Sequence, residues 1–135
     1  MNPTTRTLNL QGQAGQIEAL LDEPIDGAAQ GTAVIAHPHP LFGGTMQNKV
    51  VQTLARAFVQ SGWRAVRFNF RGVGASEGAY DEGRGEAIDM QQVITQVAPA
   101  GPLALAGFSF GAFVTSHVVQ ALGHQRPPQN LGLVG

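Results

Sequence analysis

The architecture of this 135-residue chain is constrained most strongly by the segment Ala104-Leu105-Ala106-Gly107-Phe108-Ser109-Phe110-Gly111-Ala112. A short apolar run leads into a serine with glycine two residues before it and two residues after it, and a helical pattern follows at once. A nucleophilic serine needs this strand–turn–helix context, because a tight, strained turn projects its hydroxyl away from the chain. Side chains at Gly107 and Gly111 would collide with the neighbouring strand and helix. The segment therefore predicts Ser109 as a nucleophile; the structural alternative is a serine that caps the helix.

Composition narrows the class of protein. A length of 135 residues with 43% hydrophobic content suits one domain with a buried core, which we assign to residues 1–135. The net charge is −1 and the basic residues form no patch, which argues against nucleic-acid or membrane partners. The chain has no cysteine, no basic-then-apolar signal pattern at its N-terminus and no apolar run long enough to span a bilayer. We therefore expect a cytoplasmic protein.

Strands and helices alternate along the sequence. Apolar runs predict strands at residues 7–10, 16–21, 32–36, 63–70, 102–106 and 131–135, the last of them buried. Helical spacing predicts a helix that is capped by Thr45 and stops at Ser61, and two others at 86–97 and 110–122. This alternation predicts an α/β fold, a three-layer sandwich with a mostly parallel sheet and helices on both faces.

Three glycine-rich loops follow the carboxyl ends of predicted strands, at residues 37–44, 71–78 and 108–111. Ligand sites of parallel sheets lie at the carboxyl ends of the strands. The three loops together therefore predict a site at this edge of the sheet.

These loops carry three blocks, residues 36–46, 68–78 and 106–111, that together resemble the α/β-hydrolase superfamily. More narrowly, the chain resembles small bacterial hydrolases whose third strand runs into His37-Pro38-His39-Pro40-Leu41-Phe42-Gly43-Gly44-Thr45-Met46. The resemblance implies strands one to six of an eight-stranded sheet, with the family's acid after strand seven or six and its histidine after strand eight. None of the 26 residues after Ser109 is Asp or Glu. We therefore expect a C-terminally truncated domain, the N-terminal two-thirds of the fold.

The same motif indicates how an oxyanion would be bound. The backbone N–H of Phe110, at the start of the helix, is the expected first donor. The second donor should come from the loop after the third strand, where Pro38 and Pro40 have no N–H. His39, Leu41 or a later residue must supply it, and the resemblance favours Leu41 or His39.

The four histidines have different expected roles. His37 or His39 is either a surrogate general base or a residue that holds the oxyanion loop by hydrogen bonds, and the second interpretation is favoured for both. This pair alone makes a poor metal site, so no metal and no cofactor are expected. His117 lies eight residues after Ser109, roughly 12 Å along the helix at ~1.5 Å per residue, too far to serve as its base. Its apolar neighbours predict a core histidine, and His124 is expected to be exposed.

These residues predict a serine hydrolase that acts on ester, thioester or amide bonds of a small-molecule substrate through an acyl-enzyme on Ser109. The missing acid and histidine predict impaired activity. The alternative is a non-catalytic truncated product or small-molecule binding module. A further alternative is an oligomer in which a partner supplies an acid, Asp81 or Glu82; the oligomeric state is left open.

Three further expectations concern surroundings of the site. Arg71 is expected to shape the loop after its strand and to pair with a carboxylate. Asp81, Glu82 and Glu86 are expected in a solvated loop and helix start. The strand at 131–134 would leave an apolar edge that favours self-pairing.

Overall fold

Six strands form one mixed sheet in the computed structural model, which describes residues 5–135. The strands are β1 Arg6–Gly12, β2 Gly15–Asp22, β3 Thr32–Ala36, β4 Arg64–Phe68, β5 Leu103–Phe108 and β6 Asn130–Val134. The helices are α1 Lys49–Gln60, α2 Arg84–Val97 and α3 Phe110–Leu122, and a short 3₁₀ helix, η1, spans Pro40–Phe42. Residues 1–4 lie outside the described residues. They belong to the domain predicted at 1–135 and to the N-terminal stretch in which no signal pattern was found.

The strand order explains why the predicted loops meet. The order is β1-β2-β4-β3-β5-β6, in which β2 is antiparallel to both of its neighbours and the pairs β4–β3, β3–β5 and β5–β6 are parallel. Strands β3 and β5 are adjacent, with Ala36 opposite Gly107. The loop after β3 therefore starts beside the turn after β5. The predicted fold class, a mostly parallel α/β sandwich, is confirmed.

Helices cover both faces of the sheet. On β3, Val34 and Ala36 belong to the core shared with α2 and α3, whereas Ile35 packs towards α1. This follows from the two-residue period of a strand. Burying an aliphatic or aromatic side chain of this kind stabilises the fold by about 1.5–3 kcal/mol. No helix within residues 5–135 combines the length and apolar content needed to cross a membrane.

Two helix starts differ from the prediction. Helix α1 begins at Lys49, because the side chain of Asn48 accepts hydrogen bonds from the N–H groups of Val50 and Val51 at 2.9 and 3.3 Å. Thr45 is not its cap; its hydroxyl accepts from the N–H of Gln47 in the preceding turn. Helix α2 begins at Arg84, two residues earlier than predicted.

Two burial predictions are wrong. Strand β6 lies at the sheet edge, and Leu131 and Leu133 are 47% and 46% exposed rather than buried. His117 is exposed, because the buried face of α3 is formed by Gly111, Val114, Thr115 and Val118. Helix α3 is apolar on most of its circumference, so its sequence did not distinguish the buried face from the exposed one. His124 is exposed, as predicted.

Candidate active site

Ser109 lies on the turn between β5 and α3, at φ 57° and ψ −116°. Such a conformation costs a non-glycine residue about 1–3 kcal/mol and persists only where the surroundings enforce it. Here the Ser109 N–H donates to the carbonyl of Val134 at 2.7 Å. The residue is exposed, and its side chain makes no capping hydrogen bond to α3. The hydroxyl is therefore not used as a helix cap.

The two glycines around Ser109 lie where no side chain fits. A Cβ atom on Gly107 would collide with the backbone of Gly111 and Ala112, and one on Gly111 would collide with the carbonyl groups of Ala36 and His37. These close approaches bring the start of α3 against the end of β3. The turn after β5 and the loop after β3 therefore form one continuous surface.

Backbone N–H groups at this surface differ in whether they are already engaged. Phe110 is the first residue of α3, so its N–H has no acceptor within the helix and lies at the positive end of the helix dipole. In the η1 turn, the N–H of Leu41 donates to His39 Nδ1 at 3.2 Å, and those of Phe42 and Gly44 donate to the His39 carbonyl. Among residues 5–135, no atom accepts a hydrogen bond from the N–H of His39.

His37 is fully buried, and both of its ring nitrogens are engaged. Its Nε2 accepts from the N–H of Phe70 at 3.0 Å, so Nδ1 carries the hydrogen and donates to the carbonyl of Pro38 at 2.7 Å. Burial lowers the pKa of His37 from 6.5 to about 4, against the smaller, opposing effect of the bond to Pro38. This neutral ring joins the loop after β3 to the end of β4, and neither nitrogen is available to take a proton from Ser109.

Five rings surround the turn, and we call them the aromatic rim: His39, Phe42, Tyr80, Phe110 and Phe113. The His39 ring lies 4.9 Å from Phe42, 5.1 Å from Tyr80 and 4.7 Å from Phe110, measured between centroids. Phe113 lies 6.1 Å from Phe110. Phe42 and Phe113 are 86% and 50% exposed, so the surface next to the serine turn is largely apolar.

Behind the rim, charged side chains form what we call the buried polar network: Arg71, Asp81, Glu86 and Asp89. Arg71 donates from Nε and Nη2 to the two oxygens of Asp89 at 2.7 and 2.9 Å, and this hydrogen bonding raises the pKa of Arg71. Glu86 is fully buried and accepts from the N–H groups of Asp81 and Gly83 at 2.8 and 3.0 Å. The prediction that Glu86 is solvated is therefore wrong.

Sequence reasoning did not single out Tyr80, Asn69 or Ser76. The hydroxyl of Tyr80 lies 3.2 Å from His39 Nε2. The buried side chain of Asn69 accepts from the N–H of Met46 at 2.9 Å, and the Ser76 hydroxyl donates to the Asn69 carbonyl at 2.7 Å. Two signals could have pointed to Tyr80. It is the only tyrosine of the chain, and it directly precedes the acidic pair Asp81-Glu82 in the segment after the strand predicted at 63–70.

The structure brings Ser109 and Phe110 together with the His37–Gly44 loop, but it does not join Ser109 to a base. Within residues 5–135, no hydrogen bond links the Ser109 side chain to a histidine or a carboxylate. His117 contacts Phe113 on the exposed side of α3, at a centroid distance of 4.6 Å. The candidate nucleophile and the candidate oxyanion donors thus lie together without a hydrogen-bonded base among the described residues.

Comparison with known proteins places this arrangement in a family. A family model described as X-Pro dipeptidyl-peptidase (S15 family) matches residues 16–128. The chain belongs to this family of α/β hydrolases. A curated relative that it matches is an uncharacterised protein of Rickettsia prowazekii (strain Madrid E), 41% identical over 91 residues. The match covers 64% of this α/β hydrolase and 38% of that protein.

Solved structures agree with the family assignment. An α/β serine hydrolase without a lid from Xanthomonas campestris is 34% identical with a TM-score of 0.84, and the match covers 98% of this chain and 71% of that one. An α/β serine hydrolase homologue from Coxiella burnetii is 41% identical with a TM-score of 0.83, with 98% and 62% covered. This α/β hydrolase thus spans between about three-eighths and seven-tenths of the proteins that it resembles.

Proposed function

We propose that this chain carries the nucleophile and the oxyanion hole of a serine hydrolase that acts on ester, thioester or amide bonds of small-molecule substrates. The observation that carries the proposal is the strained turn at Ser109, an exposed residue whose side chain makes no cap, beside the first N–H of α3. The similarity to solved α/β serine hydrolases supports it. Their bacterial sources and the cysteine-free composition support a bacterial, cytoplasmic enzyme as its setting.

The proposed reaction is acyl transfer. Ser109 Oγ attacks the carbonyl carbon and gives its proton to a general base, and the C=O electron pair moves onto the oxygen. The N–H groups of Phe110 and His39 bind this oxyanion. We assign His39 rather than Leu41 as the second donor, because the Leu41 N–H already donates to His39 Nδ1. Collapse of the intermediate expels the alcohol, thiol or amine, which takes up a proton, and water then hydrolyses the acyl-enzyme. Loss of one such donor slows comparable enzymes by about 10²–10³-fold.

Full activity would require a general base that takes the proton of Ser109, and the histidines of this chain are not placed to do so. Both nitrogens of His37 are engaged, and His39 contacts Leu41 and Tyr80 through its two nitrogens. His117 and His124 lie along α3 and beyond its end. We therefore propose that this chain retains at most the ~10³–10⁴-fold acceleration that an oxyanion hole and binding alone supply.

A second candidate is a binding module without turnover. It is favoured by the missing hydrogen bond between Ser109 and a base among the described residues and by the exposed Phe42 and Phe113 in the aromatic rim. Apolar acyl groups would then bind at the rim without reacting. An acid borrowed from a partner chain is less favoured, since Asp81 accepts from the N–H of Gly85 at 2.9 Å.

Covalent labelling distinguishes the two candidates. The chain is incubated with a fluorophosphonate probe and its intact mass is measured beside the variant Ser109→Ala. The matched control is Ser116→Ala, which removes a hydroxyl on α3 that donates to the Phe113 carbonyl. One adduct on the wild type and on S116A, absent from S109A, is the expected result. A folded chain that forms no adduct would contradict the proposal and favour the binding module.

A further inference from the structure

We propose that Tyr80 is a positioning residue for the oxyanion hole: its hydroxyl holds the His39 ring where Nδ1 accepts from the Leu41 N–H, and this contact maintains the η1 turn. The inference rests on the proposed function only in that His39 is taken as the second oxyanion donor. Tyr80 itself needs no contact with substrate in this role.

The hydrogen bonds of His39 require one tautomer. The N–H of Leu41 donates to Nδ1 at 3.2 Å, so Nδ1 carries a lone pair. In the neutral ring the hydrogen is then on Nε2, which lies 3.2 Å from the Tyr80 hydroxyl. Nε2–H therefore donates to Tyr80 Oη. The opposite tautomer would place a hydrogen against the Leu41 N–H and would lose that contact, whereas the Tyr80 hydroxyl can accept from or donate to Nε2. The Leu41 N–H therefore sets the tautomer, and Tyr80 holds the ring where Nδ1 meets this N–H.

This tautomer keeps the backbone of the loop in shape. With Nδ1 as acceptor, His39 caps η1, and its carbonyl accepts from the N–H groups of Phe42 and Gly44 at 3.1 and 2.9 Å. The N–H groups of Leu41, Phe42 and Gly44 therefore donate within the turn. The His39 N–H has no acceptor among residues 5–135. The ring also packs on Phe110, which provides the other proposed donor. His39 thus connects both donors to Tyr80.

Tyr80 is itself held from behind by α2. The next residue, Asp81, donates its N–H to Glu86 at 2.8 Å and accepts from the N–H of Gly85 at 2.9 Å. Glu86 also accepts from Gly83 and is fully buried. The turn that follows Tyr80 therefore has little freedom to move. Through it, the position of α2 determines where the Tyr80 hydroxyl lies.

The variant Tyr80→Phe tests the proposal, because it removes the hydroxyl and retains the ring that packs on His39. Thr95→Val is the matched control, since it removes an exposed hydroxyl of α2 that donates to the Gln91 carbonyl. The first measurement is the ¹⁵N NMR signature of the histidine rings. We expect one Nε2–H tautomer for His39 in the wild type and in T95V. In Y80F we expect a mixture of tautomers, because a ring that Tyr80 no longer holds loses its contact with the Leu41 N–H.

The second measurement is the rate of labelling of Ser109 by the fluorophosphonate. We expect Y80F to label about tenfold more slowly, the rate equivalent of about one hydrogen bond, with unchanged reversible binding of the probe. An unchanged His39 tautomer in a folded Y80F overturns the proposal. If the wild type is not labelled, the proposed function fails, and the NMR signature still decides the role of Tyr80.

Discussion

The polar groups of the buried polar network are paired with one another, whereas those of the aromatic rim are open to solvent. In the network, Arg71 and Asp89 are 10% and 2% exposed and satisfy each other. At the rim, Ser109 is exposed and its side chain does not cap α3, and Phe42 is 86% exposed. The contacts that should stabilise the fold therefore lie behind the site, and the candidate reactive groups lie in front of it. Substitutions behind the site should lower the free energy of unfolding, whereas those in front should change reactivity.

The largest effect is expected for Asp89→Asn. The change removes the carboxylate that pairs with Arg71, while Glu86 and Asp81 keep negative charge near the guanidinium. We therefore expect the lower end of the cost of breaking a buried pair, about 3 kcal/mol. The free energy of unfolding, measured by urea titration, should fall by that amount. The control is Glu82→Gln, which removes an exposed carboxylate 3.9 Å from Arg84 and should change stability by less than about 1 kcal/mol. Equal effects of D89N and E82Q would show that the network does not stabilise the fold.

His37 is expected to make stability depend on pH. Its pKa is about 4 in the folded chain and 6.5 when unfolded, so between these values only the unfolded chain binds the proton. Its contribution to stability is complete above pH 6.5, falls as the pH falls, and loses about 3 kcal/mol in total by pH 4. Unfolding at a series of pH values measures this slope, and His124→Gln should keep it. A His37 ring whose NMR signals titrate near pH 6.5 would contradict the prediction.

The smallest effect on stability is expected for substitutions of Ser109, at the aromatic rim. Glycine adopts φ 57° and ψ −116° without the strain that a Cβ atom imposes, although it gains more freedom on unfolding. We expect Ser109→Gly to be about 1 kcal/mol more stable than Ser109→Ala, and neither variant to react with the probe. Thermal unfolding of the two variants gives the comparison. If S109G were the less stable of the two, the turn would not be strained.

The parts of the fold that the sequence predicted are those with strong local signals. Strand β3 and helix α3 have the predicted bounds, because a continuous apolar run and a C-terminal Gly123 mark them clearly. The start of α1 was misplaced since Thr45 and Asn48 are both good caps, and only the contacts decide between them. The burial of β6 and His117 depends on which neighbours cover them, and no local pattern contains that information.

In the candidate site too, the residues with a strong local signal were predicted and the others were not. Ser109 and its two glycines were predicted because the turn after β5 needs those residue types at those spacings. Tyr80 lies in a loop of irregular backbone and Glu86 in the first turn of α2, and no periodicity indicated that these two side chains point inward. The engagement of the Leu41 N–H by His39 depends on a tautomer that spacing does not reveal.

The single tryptophan and the single tyrosine of the chain lie at opposite ends of the central strands, so each gives a separate optical signal. Trp63, the only tryptophan, is buried before β4, beside Gly31 at the amino ends of the central strands. Tyr80, the only tyrosine, lies at the carboxyl ends. Tryptophan emission therefore follows the unfolding of the scaffold, whereas the near-ultraviolet absorption of tyrosine follows events beside Ser109. A ligand that binds at the rim should perturb the second signal and leave the first unchanged.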